Sequence, residues 1–293
     1  MNQIEDLMRM LEVDFQKRLL SAAERSLQDN ENPVRLNNFC TNFRELVRHV
    51  LDYLAPNEEI KACTWYIPDS TSTTGVTRSH RAAFLIHGGI SVEYASTQLM
   101  IDIEGERRGF TKAVSELSKY THVNPTTFDT PADKVEEHVA RACGALRTLL
   151  LVAASARKKL IEAIQERIEE EVVHAVLRET VMAVDEIASH HSIEGVALDN
   201  VEVLRIGADE IEFIAFGSLE VELQWGSNSD RRKGDGATLN QTFPLTLKLT
   251  APVDEPSLIE AIDDSLSVDI SDWYDATSDR DDEAAYWEGK GGL

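Results

Sequence analysis

Ile4, Leu7, Met8, Leu11, Phe15, Leu19 and Ala22 recur three and four residues apart, the period of one helical face, and predict a single amphipathic helix ending near Asp29-Asn30. Pro33 breaks it. The clearest helical stripe follows, over Leu36, Phe39, Phe43, Leu46, Val47, Val50, Leu51 and Leu54, and Pro56 closes it. Residues 67–77 are rich in Ser, Thr, Pro, Asp and Gly and read as a loop. Thr77 is placed to cap a short helix over Arg78 to His87, stopped by Gly88-Gly89, and Ser91 with Tyr94 one turn on opens another. A helix from about Arg108 to Tyr120 ends before Pro125. Thr130-Pro131-Ala132-Asp133 then reads as a cap, a proline at the first helical position and an acidic first turn.

Between Gly144 and Gly195 there is no Gly or Pro. Leu146, Leu149, Leu150, Leu160, Ile164, Ile168, Val172, Val176, Val184 and Ile187 keep the helical period, which predicts one very long helix or two with a break near Ser155 to Lys159. After Gly195 the period becomes two. Val201 to Ile206, Ile211 to Phe216, Leu219 to Trp225 and Leu245 to Leu249 predict a four-stranded antiparallel meander, with hairpin turns at Gly207-Ala208-Asp209 and Gly217-Ser218. The expected class is α+β: a mostly helical domain (1–160), a long helix with a β domain (161–270), and an acidic tail (271–293) in which Trp273, Tyr274, Tyr286 and Trp287 dock locally. A long helix of this kind often serves oligomer contacts, so a homo-oligomer is expected.

Charge narrows the chemistry. The 293 residues hold 29 Lys and Arg against 52 Asp and Glu, a net charge of −23. Residues 253–293 alone carry thirteen acids and two bases. An acidic surface repels a polyanion, so any contact with DNA or RNA must be local, through a small basic patch or a metal, and a broad basic face is excluded. Cys40, Cys63 and Cys143 are odd in number and form no CxxC pair, which indicates neither a zinc ribbon nor a disulfide framework. The first residues lack the pattern of a signal peptide, and the densest apolar run, Leu149 to Ala154, is too short to span a bilayer. The expectation is a cytoplasmic chain with no membrane partner.

The most unusual segment is Gln224-Trp-Gly-Ser-Asn-Ser-Asp-Arg-Arg-Lys-Gly-Asp-Gly236, a long connection between two strands. Asp230 and Asp235 suit a hard metal, Mg or Mn. Arg231, Arg232 and Lys233 suit a phosphate, and Gln224, Trp225, Ser227 and Asn228 line the approach. The same residues also suit a solvated, glycine-rich hairpin tip. Glu222 and Gln224 stand two apart on one strand face, an arrangement that metal-dependent nucleases use with a further carboxylate from Glu212 or Asp209. Alternating Glu on a solvent face reads identically. His190-His191, before the first strand, serves either catalysis or a helix C-terminal cap.

In the front half, Arg44 and His49 match the Arg-x4-His pattern of HEPN-type, metal-independent ribonucleases. Five helical residues turn them about 140° apart, so they share no face within one chain. Lys119, His122, Arg78 and Arg81 form a further polar group, in which His122 suits a helix end. No Walker loop, dinucleotide-binding glycine fingerprint, GxSxG or HExxH is present.

Several strings together resemble the predicted PIWI-associating nuclease family, its second group, found among prokaryotic conflict and defence genes. They are Arg35-Leu-Asn-Asn-Phe39 with Arg44-Glu45, Leu54-Ala-Pro56, Trp65-Tyr66, Arg81, Gly88-Gly89, Lys119-Tyr-Thr-His122, and Asp185-Glu186 through His190-His191-Ser-Ile193. To these are added Leu223-Gln-Trp-Gly-Ser-Asn-Ser-Asp230, Gly234-Asp-Gly-Ala237 and Phe243-Pro244. The resemblance spans roughly residues 30 to 275. It implies a defence-associated nuclease or nucleic-acid-processing effector and draws attention to Gln224 to Asp235 and His190-His191, without assigning roles. The rival expectation is a non-catalytic sensor or adaptor whose helical front binds a defence-system protein and whose loop binds a nucleotide or peptide.

Overall fold

The computed structural model describes residues 3–178, 182–188 and 190–274. Its contacts divide the chain into two units, Met1–Ala163 with Ile206–Glu210, and Ile164–Arg205 with Ile211–Leu293. Helices precede an antiparallel open sheet, so the fold is α+β.

The first unit holds α1 (Gln3–Met10), α2 (Asp14–Gln28), α3 (Arg35–Leu54), α4 (Asn57–Ala62), α5 (Arg78–His87), α6 (Val92–Thr97), α7 (Ile103–Tyr120) and the front of α8 (Ala132–Arg178). The expected first helix is therefore two. Extended backbone at Val13 separates them and moves the buried stripe by one residue. Gln16, Leu20 and Ala23 face inward while Phe15 is half exposed. The buried Gln16 amide donates to the His49 carbonyl at 3.4 Å. On α3 the predicted stripe is the core, with Phe39 and Phe43 stacked at 5.3 Å.

Thr77 caps α5, and His80 completes a reciprocal box by accepting from the Thr77 N–H. Ser91 caps α6 by accepting from the Tyr94 N–H at 3.1 Å. Asp102 caps α7 and starts it five residues earlier than the apolar pattern suggests. Thr130 donates its hydroxyl to the Thr127 carbonyl at 3.2 Å, and no described backbone N–H donates to it. Helix α8 runs through Gly144 and through residues 155–159 without a break and ends at Arg178. One 18-residue stretch of it has mean hydropathy 1.4 and is 33% buried, so by length and composition alone this helix is able to cross a membrane.

Gly88 and Gly89 do more than end α5. The Gly89 N–H donates to the Gly207 carbonyl at 2.7 Å, and the Ala208 N–H donates to the Glu59 carboxylate at 3.2 Å. A Cβ on Gly89 would stand 1.9 Å from the Ala208 oxygen, so only glycine admits this approach.

The second unit contains the rest of α8, α9 (Met182–Asp185) and three long strands, β1 (His190–Ile206), β2 (Glu210–Trp225) and β3 (Ala237–Pro252). Short β4 (Glu260–Ala261) and β5 (Ser267–Val268) pair with β3, in the registers Leu249↔Ala261 and Leu245↔Val268. The expected second and third strands are one: β2 passes straight through Gly217-Ser218. A Cβ at Gly217 would lie 2.3 Å from the Ala197 carbonyl on β1, so this glycine marks close strand approach where a turn was expected. Ile211, Phe213, Ala215, Leu219, Val221 and Leu223 line the buried face in unbroken alternation. The acidic end of the chain, including Tyr286 and Trp287, lies outside the described residues.

Candidate functional site

The loop after β2 is built by local rules. Gly226 turns the chain at φ +85°, and Ser227 then caps α10 (Asn228–Lys233). The Ser227 N–H and hydroxyl both donate to Asp230 Oδ2, at 2.9 and 2.6 Å, and the Asp230 N–H returns a bond to Ser227 Oγ at 3.2 Å. This is a capping box. At the other end Gly234 takes φ +86° and the Asp235 N–H reaches the Asp230 carbonyl at 2.9 Å, which is a Schellman closure. The connection is one capped helical turn.

This closure decides how Asp230 behaves. Its side-chain and backbone bonds from Ser227 hold its carboxyl below the usual carboxylate range, so it is ionised at neutral pH. Its second oxygen and the exposed Asp235 are what the turn offers a cation. Among the described residues, no group of three or more His, Cys, Asp or Glu side chains comes together. Gln224 donates to the Gly226 carbonyl at 2.8 Å. Glu222 and Gln224 alternate with the buried Val221 and Leu223 and so share the opposite sheet face. Glu212 pairs with Arg205 at 2.7 Å ten residues up the same strand from Glu222, roughly 33 Å away at the usual rise. Asp209 sits in the β1–β2 turn, within the first unit. Glu212 and Glu222 therefore do not meet. Arg232 and Lys233 are exposed on α10, while the side chains of Asn228 and Arg231 lie outside the described set.

A different pair is formed at this end of the sheet. His190 and His191 are the first residues of β1 and do not cap a helix. His191 Nδ1 lies 3.0 Å from Asp185 Oδ1, and the imidazole keeps only 16% of its exposure against 49% for the carboxylate. A carboxylate can only accept, so Nδ1 donates to it, while Nε2, the other ring nitrogen, makes no bond to a described residue. Trp225, at the end of β2, donates its indole N–H to the Ile187 carbonyl at 3.2 Å and stacks on Trp273 with centroids 5.9 Å apart. Trp225 is thereby pinned beside the segment that carries Asp185 and His191. The antiparallel β1–β2 hairpin also brings the first residues of β1 to the end of β2. Sequence reasoning missed Asp185 as a partner. Its only signal was membership of a string six residues before His191.

The first unit separates its candidates. Arg44 stands in the field of Arg78 and Glu45. His49 packs edge-on against Phe15 at 4.9 Å, with Nε2 2.9 Å from the Arg48 guanidinium. Arg81 binds Asp52 at 2.9 Å, Asn57 at 2.9 Å and the Ala55 carbonyl. His122 is exposed after α7, and Thr121 rather than His122 bonds back to that helix, at Ser118. A cavity of about 570 Å³ between α7 and α8 is lined by Gly109, Phe110, Ala113, Arg141, Gly144 and Leu149, away from all of these.

Comparison with known families gives two matches, both to models described as predicted pPIWI-associating nuclease. The first covers residues 8–146 and the second residues 153–274. Together they span most of the chain, the front half falling to the first model and the sheet-bearing half to the second. No curated protein and no solved structure matches the chain.

Proposed function

Because the chain belongs to the family of predicted pPIWI-associating nucleases, we propose that it cleaves phosphodiester bonds of DNA or RNA at the sheet end that carries His191. The observation that carries this reading is the 3.0 Å bond from His191 to Asp185. A carboxylate holding Nδ1–H orients the ring and supports the imidazolium that forms when Nε2 takes a proton from the attacking water or ribose hydroxyl. The Trp225–Trp273 stack beside it suits the faces of unpaired bases, and Arg232 and Lys233 suit the backbone. Asp230 and Asp235 are the groups available to Mg or Mn in a metal-assisted form of the same reaction.

The family description also supports association with a PIWI-type protein; a defence setting and a second copy of this chain belong to the same proposal and rest on the sequence reading alone. Purified protein incubated with labelled single-stranded DNA and RNA, in Mg, in Mn and in EDTA, tests the proposal. Cleavage is expected with the wild type and is expected to be lost in His191→Asn. If Asp230→Ala with Asp235→Ala matches the wild type in EDTA and in Mg, the metal-assisted form is dropped. Full cleavage by His191→Asn would remove the assignment altogether.

A further inference from the structure

In a chain of net charge −23, four arginines gather where α3 and α5 pack together: Arg44 and Arg48 from one helix, Arg78 and Arg81 from the other. Two carboxylates stand among them, and both are occupied. Asp52 binds Arg48 at 3.2 Å and Arg81 at 2.9 Å, and Glu45 binds Arg48 at 2.8 Å. Arg44 and Arg78 make no hydrogen bond or ion pair with any described residue.

Their placement is unfavourable for folding. Arg78 is half-buried, and burial first, then the nearby charge of Arg44, pull its pKa below the ordinary arginine value; Glu45 opposes this. A desolvated cation without a partner is costly. Arg78 is also the first residue of a ten-residue helix, the end where the backbone already presents positive potential, and that first turn contains no acid. The Thr77–His80 box uses the His80 N–H, while the Arg78 and Ser79 N–H groups donate to no described residue. Two guanidinium groups without a hydrogen bond to a described residue thus stand near two open amides, and Glu45, the acid in the field of both, is already bound to Arg48.

We propose that Arg44, Arg78 and the amino end of α5 bind a phosphate group of a nucleic-acid strand. The proposal goes beyond the cleavage site and concerns binding alone, so it survives even if His191 proves dispensable. It also meets the condition that charge imposes, a small basic patch on an acidic chain.

The test uses the full chain, with fluorescence polarisation of short single-stranded DNA and 2′-O-methyl RNA bearing either a 5′-phosphate or a 5′-hydroxyl. Arg44→Gln with Arg78→Gln is expected to weaken binding about tenfold or more and to reduce the log–log salt slope by roughly 1.4, two contacts at about 0.7 each. Arg108→Gln with Lys158→Gln removes the same charge from exposed positions and is expected to change affinity less than about twofold. Inorganic phosphate is expected to raise the melting temperature of the wild type and not of the Arg44/Arg78 variant, which keeps its fold because neither side chain makes a described bond. Loss confined to the 5′-phosphorylated strands identifies a terminal phosphate, and equal loss identifies the backbone. Affinity and salt slope unchanged in the Arg44/Arg78 variant, or an equal loss in the control, would overturn the proposal.

Discussion

Gly89→Ala tests the packing of the β1–β2 turn within the first unit. The new methyl carbon would stand 1.9 Å from the Ala208 oxygen, 2.6 Å from its carbonyl carbon and 3.0 Å from its Cα, all backbone atoms that no rotamer change can move. Restoring ordinary contact needs a retreat of more than about 1 Å. That retreat breaks the 2.7 Å bond from the Gly89 N–H to the Gly207 carbonyl and loosens Ile206 and Ala208, now 4% and 6% exposed. One lost buried hydrogen bond with its polar atoms left unsatisfied, together with lost packing, comes to about 2–4 kcal/mol. Gly109→Ala is the contrast. Nothing stands within 4 Å of a Cβ there, and alanine in a helix interior should add about 1 kcal/mol. Urea unfolding followed by circular dichroism measures both, and hydrogen exchange of peptides around residues 85–92 and 204–212 localises the first. If both variants shift in the same direction, or Gly89→Ala stays within about 0.5 kcal/mol of the wild type, the close approach is misread.

His87 is buried, donates its Nδ1–H to the Ile90 carbonyl at 2.7 Å, and is held neutral by burial, its pKa pushed down to about 4. The unfolded chain binds that proton near pH 6.5 and the folded chain only near 4. Stability from this group is therefore complete above 6.5 and falls as pH drops towards 4, by roughly 3 kcal/mol at 1.36 per unit. Wild type and His87→Gln compared by urea unfolding across that window should differ in slope, and parallel curves would contradict the assignment. Ser227→Ala removes the hydroxyl of the α10 capping box and should cost about 1 kcal/mol locally, read as faster amide exchange over residues 228–235. Unchanged exchange would show that Gly234 alone closes the turn.

The helical half was legible where an apolar stripe coincided with a cap: α3, α5 and α6 follow from Leu36 to Leu54, from Thr77 and from Ser91. The break between α1 and α2 was hidden because apolar residues continue at helical spacing across Val13, although the buried phase moves by one. Gly217 shows a recoverable error. Glycine in alternating sequence serves either a turn or a close approach, but the odd-numbered apolar positions on both sides of it keep one parity, which a hairpin of that length would not require. The capping box at Ser227–Asp230 was readable from its spacing, yet the mixed charges of the loop drew Asp230 towards a metal. Asp185 could not be assigned to His191 from spacing, because a helix end and a strand start meet through a turn whose geometry no periodicity encodes. The charge argument asked for a small basic patch, and the one proposed above lies at α3 and α5, where the Arg-x4-His pattern drew attention to Arg44 for a different reason.

In the proposed reaction Asp185 holds the His191 imidazole ready to accept a proton. The most direct measurement is the single-turnover cleavage rate of one labelled strand by the wild type and by Asp185→Asn, whose near-isosteric amide preserves the shape of the pair. A fall of about 10²–10⁴-fold is expected, with unchanged circular dichroism and unchanged strand affinity. Equal rates would contradict it.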